Sequence, residues 1–252
     1  MKIYFASDAH LGAPTIEDKR AHERKLLTWL DAIKHDADAI YFLGDMFDYW
    51  YEYKTVVPKG FVRFLSRLCE LTESGVDVHM FTGNHDVWMF DYLPDECGVT
   101  VHRKPYEFTA DGKHFYVGHG DNAGNYDKCY MLMKMLFESP VAQWFYSKLH
   151  PDLSGWYARR RCESSRRNND KQKKYSTFRG EEREFQIRFA KEYLAAGHQV
   201  DYFVFGHRHI IHDFAMPQYG GSRVLMIGDW MKNFSYAEFD GNDITVKRWI
   251  TT

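Results

Sequence analysis

Five short apolar runs, KIYFAS, AIYFLG, VHMFTG, HFYVG and YFVFG, recur along the chain, and each stops at a glycine or a small polar residue. They are rich in aromatic and β-branched residues and too short for helices, so they read as buried strands. Between them the period changes. Ile16–His35 places Leu26, Leu27, Leu30 and Ile33 at helical spacing, and Phe61–Ser74 puts Phe61, Phe64, Leu65, Leu68 and Leu71 on one stripe that Gly75 ends. Both stripes read as core faces. Glu181–Ala196 is a further helix, leading into the strand Asp201–Phe205. Tyr106–Ala110, the pair Asp111-Gly112 and Lys113–Gly118 spell a hairpin. The tail alternates through IIHDFAM, RVLMIGDW, SYAEFD and ITVKRWI, with a turn at Gly241-Asn242. This pattern predicts two packed mixed β-sheets flanked by helices, an α+β sandwich, in a single unit spanning 1–252.

One stretch departs from the alternation. Asn125–Lys174 is helical, aromatic and basic, and is expected to form a cap inserted into that unit. Its Tyr130–Phe137 and Pro140–Tyr146 segments are short Met- and aromatic-rich helices. They either pack plainly on the sandwich or form an apolar slot for acyl chains, since Met adapts to irregular guests and ligand pockets are mostly apolar. Next to them, Ala158–Lys174 carries eight Arg and Lys against two acids, a local balance of +6 within an overall charge of -2. A solvated helix face is one reading. An anionic partner, or an anionic membrane face beside the apolar helices, is the other.

Composition excludes some classes. With 252 residues, 44 % of them hydrophobic and 27 % charged, the chain has an ample core and is not intrinsically disordered. Cys69, Cys97, Cys129 and Cys162 have no paired spacing and are expected to be reduced thiols of a cytosolic protein. MKIYFAS begins as a strand rather than a signal peptide, and no apolar run reaches the roughly 18 residues that span a bilayer. An intracellular protein that does not cross the membrane is the expectation.

The chemistry lies where the strands end. Asp8 and His10 in SDAH, Asp45 in LGDMFD, Asn84 in TGNHD, His119 in VGHGD, and His207 with His209 in FGHRH each follow an apolar run. Side chains at strand ends on one sheet edge converge although they are remote in sequence. Asp8 and His10, two positions apart, are expected on one side of a strand end, holding one ion together. Gly44 leaves room for a turn before Asp45, whose two oxygens suit a bridge between two ions. Oxygen donors mixed with imidazoles fit first-row divalent ions such as manganese, iron or zinc. Two such ions about 3.5–4 Å apart clamp a phosphate, activate water and stabilise a leaving oxygen. His85, beside Asn84, is placed to contact a phosphate oxygen or protonate the leaving group, with Asp48 or Asp86 as its partner. His79, His102, His114 and His150 read as structural or solvated.

The series DxH, GD, GNHD, GH, GHxH, running from Asp8 to His209, resembles the calcineurin-like metallophosphoesterases. That resemblance implies a double β-sandwich with a dinuclear metal centre at one edge, manganese first among its ions, with Asp45, Asn84 and His85 catalytic. Within that superfamily the chain is similar to the UDP-2,3-diacylglucosamine hydrolase family of lipid A biosynthesis, whose members release UMP and leave a monophosphorylated diacyl sugar. The similarity carries over an aromatic residue five positions after Asp45, here Trp50, and an HGD turn followed by Asp127 and Tyr130. It also implies substrate contacts from His85, His207 and the cap residues Arg159, Ser164, Asn168 and Lys171. Well-known members have Arg where this chain has His85, the commoner residue in the wider superfamily. The implied partner is a nucleotide-linked lipid at the cytoplasmic, anionic face of an inner membrane, with peripheral attachment and no nucleic acid expected. A nuclease tracking a phosphate backbone with the basic run, a phosphodiesterase for soluble substrates, and a binding protein without catalysis are the competing readings.

Overall fold

The computed structural model describes residues 1–124, 128–171 and 177–250, with the side chains of 128–129 and 165–171 left out of the description. Strand β1 (Ile3–Ala6) is buried along its whole length. Helix α1 (Lys19–Ile33) starts where Asp18 accepts the Ala21 N–H at 2.8 Å, and buries Leu26, Trp29, Leu30 and Ile33. Strand β2 (Ala39–Phe42), helix α2 (Val62–Glu73) and strand β3 (Asp77–Phe81) follow as the apolar pattern predicts. Helix α3 (Tyr92–Cys97) and strand β4 (Thr100–His102) come next, then the hairpin of β5 (Tyr106–Ala110) and β6 (Lys113–Gly118). Asp111 and Gly112 at its tip both have positive φ, as a tight hairpin turn requires.

Three helices succeed the hairpin: α4 (Lys128–Glu138), α5 (Pro140–Tyr146) and α6 (Pro151–Lys171). The chain then returns through α7 (Phe185–Ala195) to β7 (Tyr202–Phe205), β8 (Ile211–Met216), β9 (Ser222–Ile227), β10 (Ser235–Phe239) and β11 (Ile244–Arg248). Two mixed sheets result, ordered β11-β10-β1-β2-β3-β4 and β5-β6-β7-β9-β8. Strands β1 to β4 run parallel to one another, as do β6, β7 and β9. The expected fold of two packed sheets with helices outside is therefore the observed one.

Strand alternation sorts the side chains into layers. Ile3, Phe5, Tyr41, Phe115, Val117, Val204, Leu225 and Phe239 fill the space between the sheets. Tyr4, Ala6, Ile40, Phe42, Val78 and Met80 point the other way, against Leu26, Leu30, Phe64 and Leu68 of α1 and α2. On the far face, Phe203, Phe205, Val224 and Met226 pack on Ile187, Ala190 and Leu194 of α7. Each fully buried side chain of this size stabilises the fold by about 1.5–3 kcal/mol.

Two features lie outside what the pattern foretells. Helix α3 is a single short turn-and-a-half containing Pro94, and its start is fixed from a distance: Glu52 Oε2 accepts the N–H groups of Phe90, Asp91 and Tyr92 at 2.7–3.2 Å. The expectation of four reduced thiols is also corrected. Cys69 of α2 and Cys97 of α3 form a disulfide, their Cα atoms 4.2 Å apart. Separated by 28 residues, they carry no spacing signal that a sequence reading could use.

Candidate metal centre

Strands β1, β2, β3, β6, β7 and β9 run parallel within their sheets, and a polar loop follows each. The first two ligands sit just beyond β1. Strand β1 ends at Ala6, so Asp8 and His10 lie in a loop rather than alternating on a strand, and both have positive φ, 55° and 44°. Asp45 (52°), His207 (67°) and His209 (51°) share that left-handed conformation. Non-glycine residues adopt it only where surrounding contacts over-determine them, and such strain gathers at functional sites. Glycines make the crowding possible. A Cβ on Gly83 would meet Asp45 Oδ1 at 2.1 Å, and one on Gly206 would meet Asp8 Oδ2 at 2.6 Å.

The donor atoms converge. Atoms of Asp8, His10 and His209 lie within 4.8 Å of one another, as do those of Asp8, Asp45 and His119, and those of His10, Asp45 and His85. Asp45 Oδ2 stands 3.8 Å from His10 Nε2 and 3.5 Å from His119 Nε2, between the two halves of the cluster. His119 Nδ1 lies 2.8 Å from the Leu43 carbonyl, which only accepts, so this nitrogen donates. In the neutral ring Nε2 is then an acceptor. It faces Asp45 Oδ2, Asn84 Oδ1 at 3.3 Å and His207 Nδ1 at 3.2 Å. A cation among these electronegative atoms satisfies all of them. Asp8 Oδ1 is buried without a hydrogen-bond donor among the described residues, and sits 3.3 Å from His209 Nε2 and 3.8 Å from His10 Nε2. The donor set therefore fits two divalent ions.

Electrostatics point the same way. Burial works against charge on His119, yet Asp45, Asp8 and Asp121 raise its pKa to about 10. Burial likewise opposes charge on His209, and Asp8 and Asp229 raise it to about 9. Burial favours the protonated form of Asp45, but His119, His85 and His10 hold its carboxyl well below the usual range. His207 is pressed down to about 3 by burial and by neighbouring His119. Carboxylates this deep are stable only beside positive charge.

Supporting contacts fix each ligand, and several escaped the sequence reading. Asp229, after β9, lies 3.5 Å from His209 Nδ1 and accepts the N–H groups of Met231, Lys232 and Asn233, while Asn233 Nδ2 donates to the His209 carbonyl. Such carboxylate–histidine pairs orient metal ligands. The GDW following RVLMI is the signal that locates it. Arg208, between the last two ligand histidines, makes a buried two-pronged pair with Glu184, 2.8 Å at each prong. Of the two partners open to His85, the structure selects Asp48. His85 Nδ1 donates to its carbonyl at 3.1 Å and stands 3.7 Å from its carboxylate. Asp86 is taken up by the N–H groups of Asp45, Phe47 and Gly83, and burial together with Asp45 raises its pKa to about 7. Burial opposes charge on His85 too, yet Asp45, the Cys162 thiol of α6 and Asp48 raise its pKa to about 10.

The other expected residues are scattered. Trp50 is 0 % exposed, packs on Phe47 and donates to Glu52 Oε1 at 2.8 Å, so it supports the loop from beneath and does not line the cleft. Tyr130 lines the cleft, and its hydroxyl donates to Asp121 Oδ2 at 2.7 Å beside Lys134. Arg159 and Ser164 lie exposed on α6. Asp127 and the side chains of Asn168 and Lys171 fall outside the described residues.

Helices α4 to α6 dock on the rim through aromatic side chains. Tyr51 OH donates to the Gln143 carbonyl at 2.9 Å and Trp88 Nε1 to the Phe137 carbonyl at 2.9 Å. Tyr49 and Tyr146 share a hydroxyl contact at 3.2 Å, and Tyr53 bonds Ser154. Between α4 and the sheet edge opens a cleft of about 1120 Å³ lined by His10, Asp45, Asn84, His85, His207 and His209. Tyr130, Met133, Phe137 and Val87 form its apolar arm.

A buried set of hard oxygen and imidazole donors at the rim of a double sandwich defines a metal-dependent hydrolase, and the chain belongs to the calcineurin-like phosphoesterase family, whose model matches residues 1–210. That stretch carries all seven expected ligand positions. Among characterised proteins it is 44 % identical to UDP-2,3-diacylglucosamine hydrolase of Porphyromonas gingivalis (strain ATCC BAA-308 / W83), over 98 % of this chain and 97 % of that one. It is 26 % identical to the protein of that name from Shewanella sp. (strain ANA-3), over 98 % and 97 %. The Shewanella pealeana protein is 28 % identical, over 93 % and 92 %.

Proposed function

We propose that this enzyme hydrolyses the pyrophosphate of UDP-2,3-diacylglucosamine, giving UMP and 2,3-diacylglucosamine 1-phosphate in lipid A biosynthesis. The observation that carries the reading is the joining, in one cleft, of the ligand-bearing rim to the apolar arm of Tyr130, Met133, Phe137 and Val87. The naming of the 44 % identical relative supports it. Asp8, His10, Asp45 and His209 would hold one ion, and Asp45, Asn84, His119 and His207 the other. Manganese is the proposed metal, with iron or zinc the alternatives for such donors. Bound ions activate water and neutralise charge on the phosphate oxygens.

The chain's own residues do the rest. Asp229 and the Leu43 carbonyl keep His209 and His119 turned toward the metals. His85, with its Nδ1–H anchored on the Asp48 carbonyl, presents Nε2 to the leaving phosphate oxygen and stabilises or protonates it. The attacked phosphorus is the one nearer the uridine. The apolar arm excludes water and seats acyl chains, and Arg159, Ser164, Asn168 and Lys171 of α6 are the proposed contacts to the sugar phosphate.

The cap is also the proposed attachment to an anionic membrane surface. Leu132, Met135, Leu136, Val141, Trp144 and Phe145 are more than half exposed on α4 and α5, next to the basic α6. Its occupant is a lipid bilayer because the substrate's fatty chains reside there, and apolar area plus basic charge drives such binding. No helix among the described residues is long and apolar enough to cross a membrane.

The test is a panel with added manganese: UDP-2,3-diacylglucosamine, UDP-glucosamine without acyl chains, bis-p-nitrophenyl phosphate, and DNA. UMP release from the acylated compound alone supports the reading. Indifference to the acyl chains, or faster cleavage of DNA, overturns the lipid assignment.

A further inference from the structure

The same cleft has a second arm, built from elements other than the cap helices. Its walls are the loop before α1 (Thr15, Ile16), the first turns of α1 (His22, Lys25), the segment 231–234 after β9, and Arg248 at the end of β11. This arm differs in chemistry from the apolar one. The acids that line the cleft, Asp45 and Asp229, are both committed, the first to the ligand cluster and the second to His209 and the N–H groups of its own loop. The remaining charges of the arm are Lys25, Lys232 and Arg248, all cationic.

Their placement is structured. Lys25 Nζ sits 3.4 Å from the centre of the Phe234 ring, which holds the ammonium at the wall of the arm. His22 Nε2 donates to the Ala9 carbonyl at 2.8 Å, so in the neutral ring Nδ1 remains an acceptor. Arg248 Nη2 reaches Asn233 Oδ1 at 3.5 Å, on the loop that Asp229 organises.

We propose that this second arm is the nucleotide subsite: Lys25 and Arg248 hold the nucleoside monophosphate end of the substrate, and retain it as product, while the lipid end lies in the cap arm. The inference rests on the function proposed above and extends it. Phosphoryl transfer places attacking and leaving oxygens roughly in line. At the attacked phosphorus the lipid phosphate departs opposite the water while the nucleoside is a lateral substituent, so the two ends point in different directions. The cleft offers a largely apolar cap arm that includes Lys134 and a second arm whose uncommitted wall charges include Lys25 and Arg248. Hydrolysis leaves both ends as phosphate monoesters with more negative charge than they carried in the pyrophosphate, and Lys25 and Arg248 are the cations placed to neutralise the nucleotide end.

The test uses the manganese-loaded full chain and titration calorimetry with three probes: UMP, inorganic phosphate, and 2,3-diacylglucosamine 1-phosphate in micelles. In the Lys25→Ala/Arg248→Ala double variant, UMP affinity is expected to fall about tenfold or more, while affinity for the lipid product changes less than twofold. Inorganic phosphate is expected to weaken alongside UMP, since the two cations act on the phosphate. Lys25→Arg should restore most of the UMP affinity, which separates loss of a cation from loss of folding. Undiminished UMP binding in the double variant overturns the proposal, as does an equal loss toward the lipid product, which would confine these residues to tuning the metals. If the chain binds UMP through Lys25 and Arg248 yet does not cleave the acylated substrate, the lipid reading falls and the nucleotide subsite stands.

Discussion

Asp45 and Trp144 mark the extremes of this molecule. Asp45 is 2 % exposed, sits in a left-handed backbone conformation and lies against three imidazoles. Trp144 is 56 % exposed on α5, with Phe145 and the Lys148 ammonium as its ring neighbours. The rim around Asp45 is closely fixed: Asp229 holds His209, the Leu43 carbonyl holds His119, and Gly83 and Gly206 let the backbone press against Asp45 and Asp8. The cap around Trp144 is attached by a few aromatic hydrogen bonds and leaves its apolar residues outward. Chemistry on a pyrophosphate demands fixed donors. A lipid partner demands adaptable apolar area, which only a weakly constrained helical surface provides.

Breaking the rim at its centre should have the largest effect. Asp45→Ala removes the carboxylate shared by both halves of the cluster. Turnover of every substrate should fall by at least about a thousandfold, since metal stabilisation of transition-state charge is worth several kcal/mol and each ~1.4 kcal/mol is a decade in rate. Steady-state assays on bis-p-nitrophenyl phosphate and on the lipid would show both losses together. A variant that lost only the lipid activity would place Asp45 outside the metal centre.

Next in size is the buried pair beneath the ligand loop. Arg208→Ala strands Glu184, which is 1 % exposed, and breaking such a pair costs about 3–5 kcal/mol. At about 2–4 °C per kcal/mol in chains of this length, the melting temperature should drop by roughly 10 °C. The pH dependence sharpens the point. Burial pushes the Glu184 carboxyl up, but Arg208 outweighs burial and holds it below the ordinary 4.5. The pair therefore stabilises the fold fully above pH 4.5, and that contribution fades as pH falls through the folded value. Arg208→Ala should lose that acid-side slope in thermal melts.

Smaller effects separate orientation from contact. Asp229→Asn keeps the loop's shape but weakens the grip on His209, so manganese affinity should fall about 10- to 100-fold in a metal titration. Unchanged affinity would make Asp229 a loop residue only. On the cap, Trp144→Ser with Phe145→Ser should weaken cosedimentation with anionic vesicles by about tenfold per residue, from ~1.5 kcal/mol or more of apolar burial each. Turnover of lipid substrate presented in vesicles should suffer more than turnover of bis-p-nitrophenyl phosphate. Equal loss on both would tie the cap to the rim's stability instead.

The parts that repeat were readable from the chain alone. Unbroken apolar runs in KIYFAS, AIYFLG and YFVFG carry the strands, and the polar residues after them carry the expected ligands, because loops at buried strand ends bring Asp8 and His209 together. What did not show were partners that act across distance. Glu52 capping α3, Glu184 holding Arg208, and the Cys69–Cys97 bridge join residues whose separation follows from packing and not from period. The left-handed backbone at Asp8, His10 and Asp45 was hidden as well, since residue type strongly favours it only for glycine and weakly for Asp, Asn and His. Trp50 shows the converse: a motif position is visible in sequence, but its depth beneath the loop is not.

The account stands on two cations held at one sandwich edge by the loops after the parallel strands. The direct measurement is a crystal structure grown with manganese, read by anomalous scattering. Two peaks about 3.5–4 Å apart, with Asp45 between them and His209 and His119 on opposite sides, are predicted. Density for no ion or for a lone ion away from Asp45, with the same side chains in place and phosphoesterase activity retained, would contradict it.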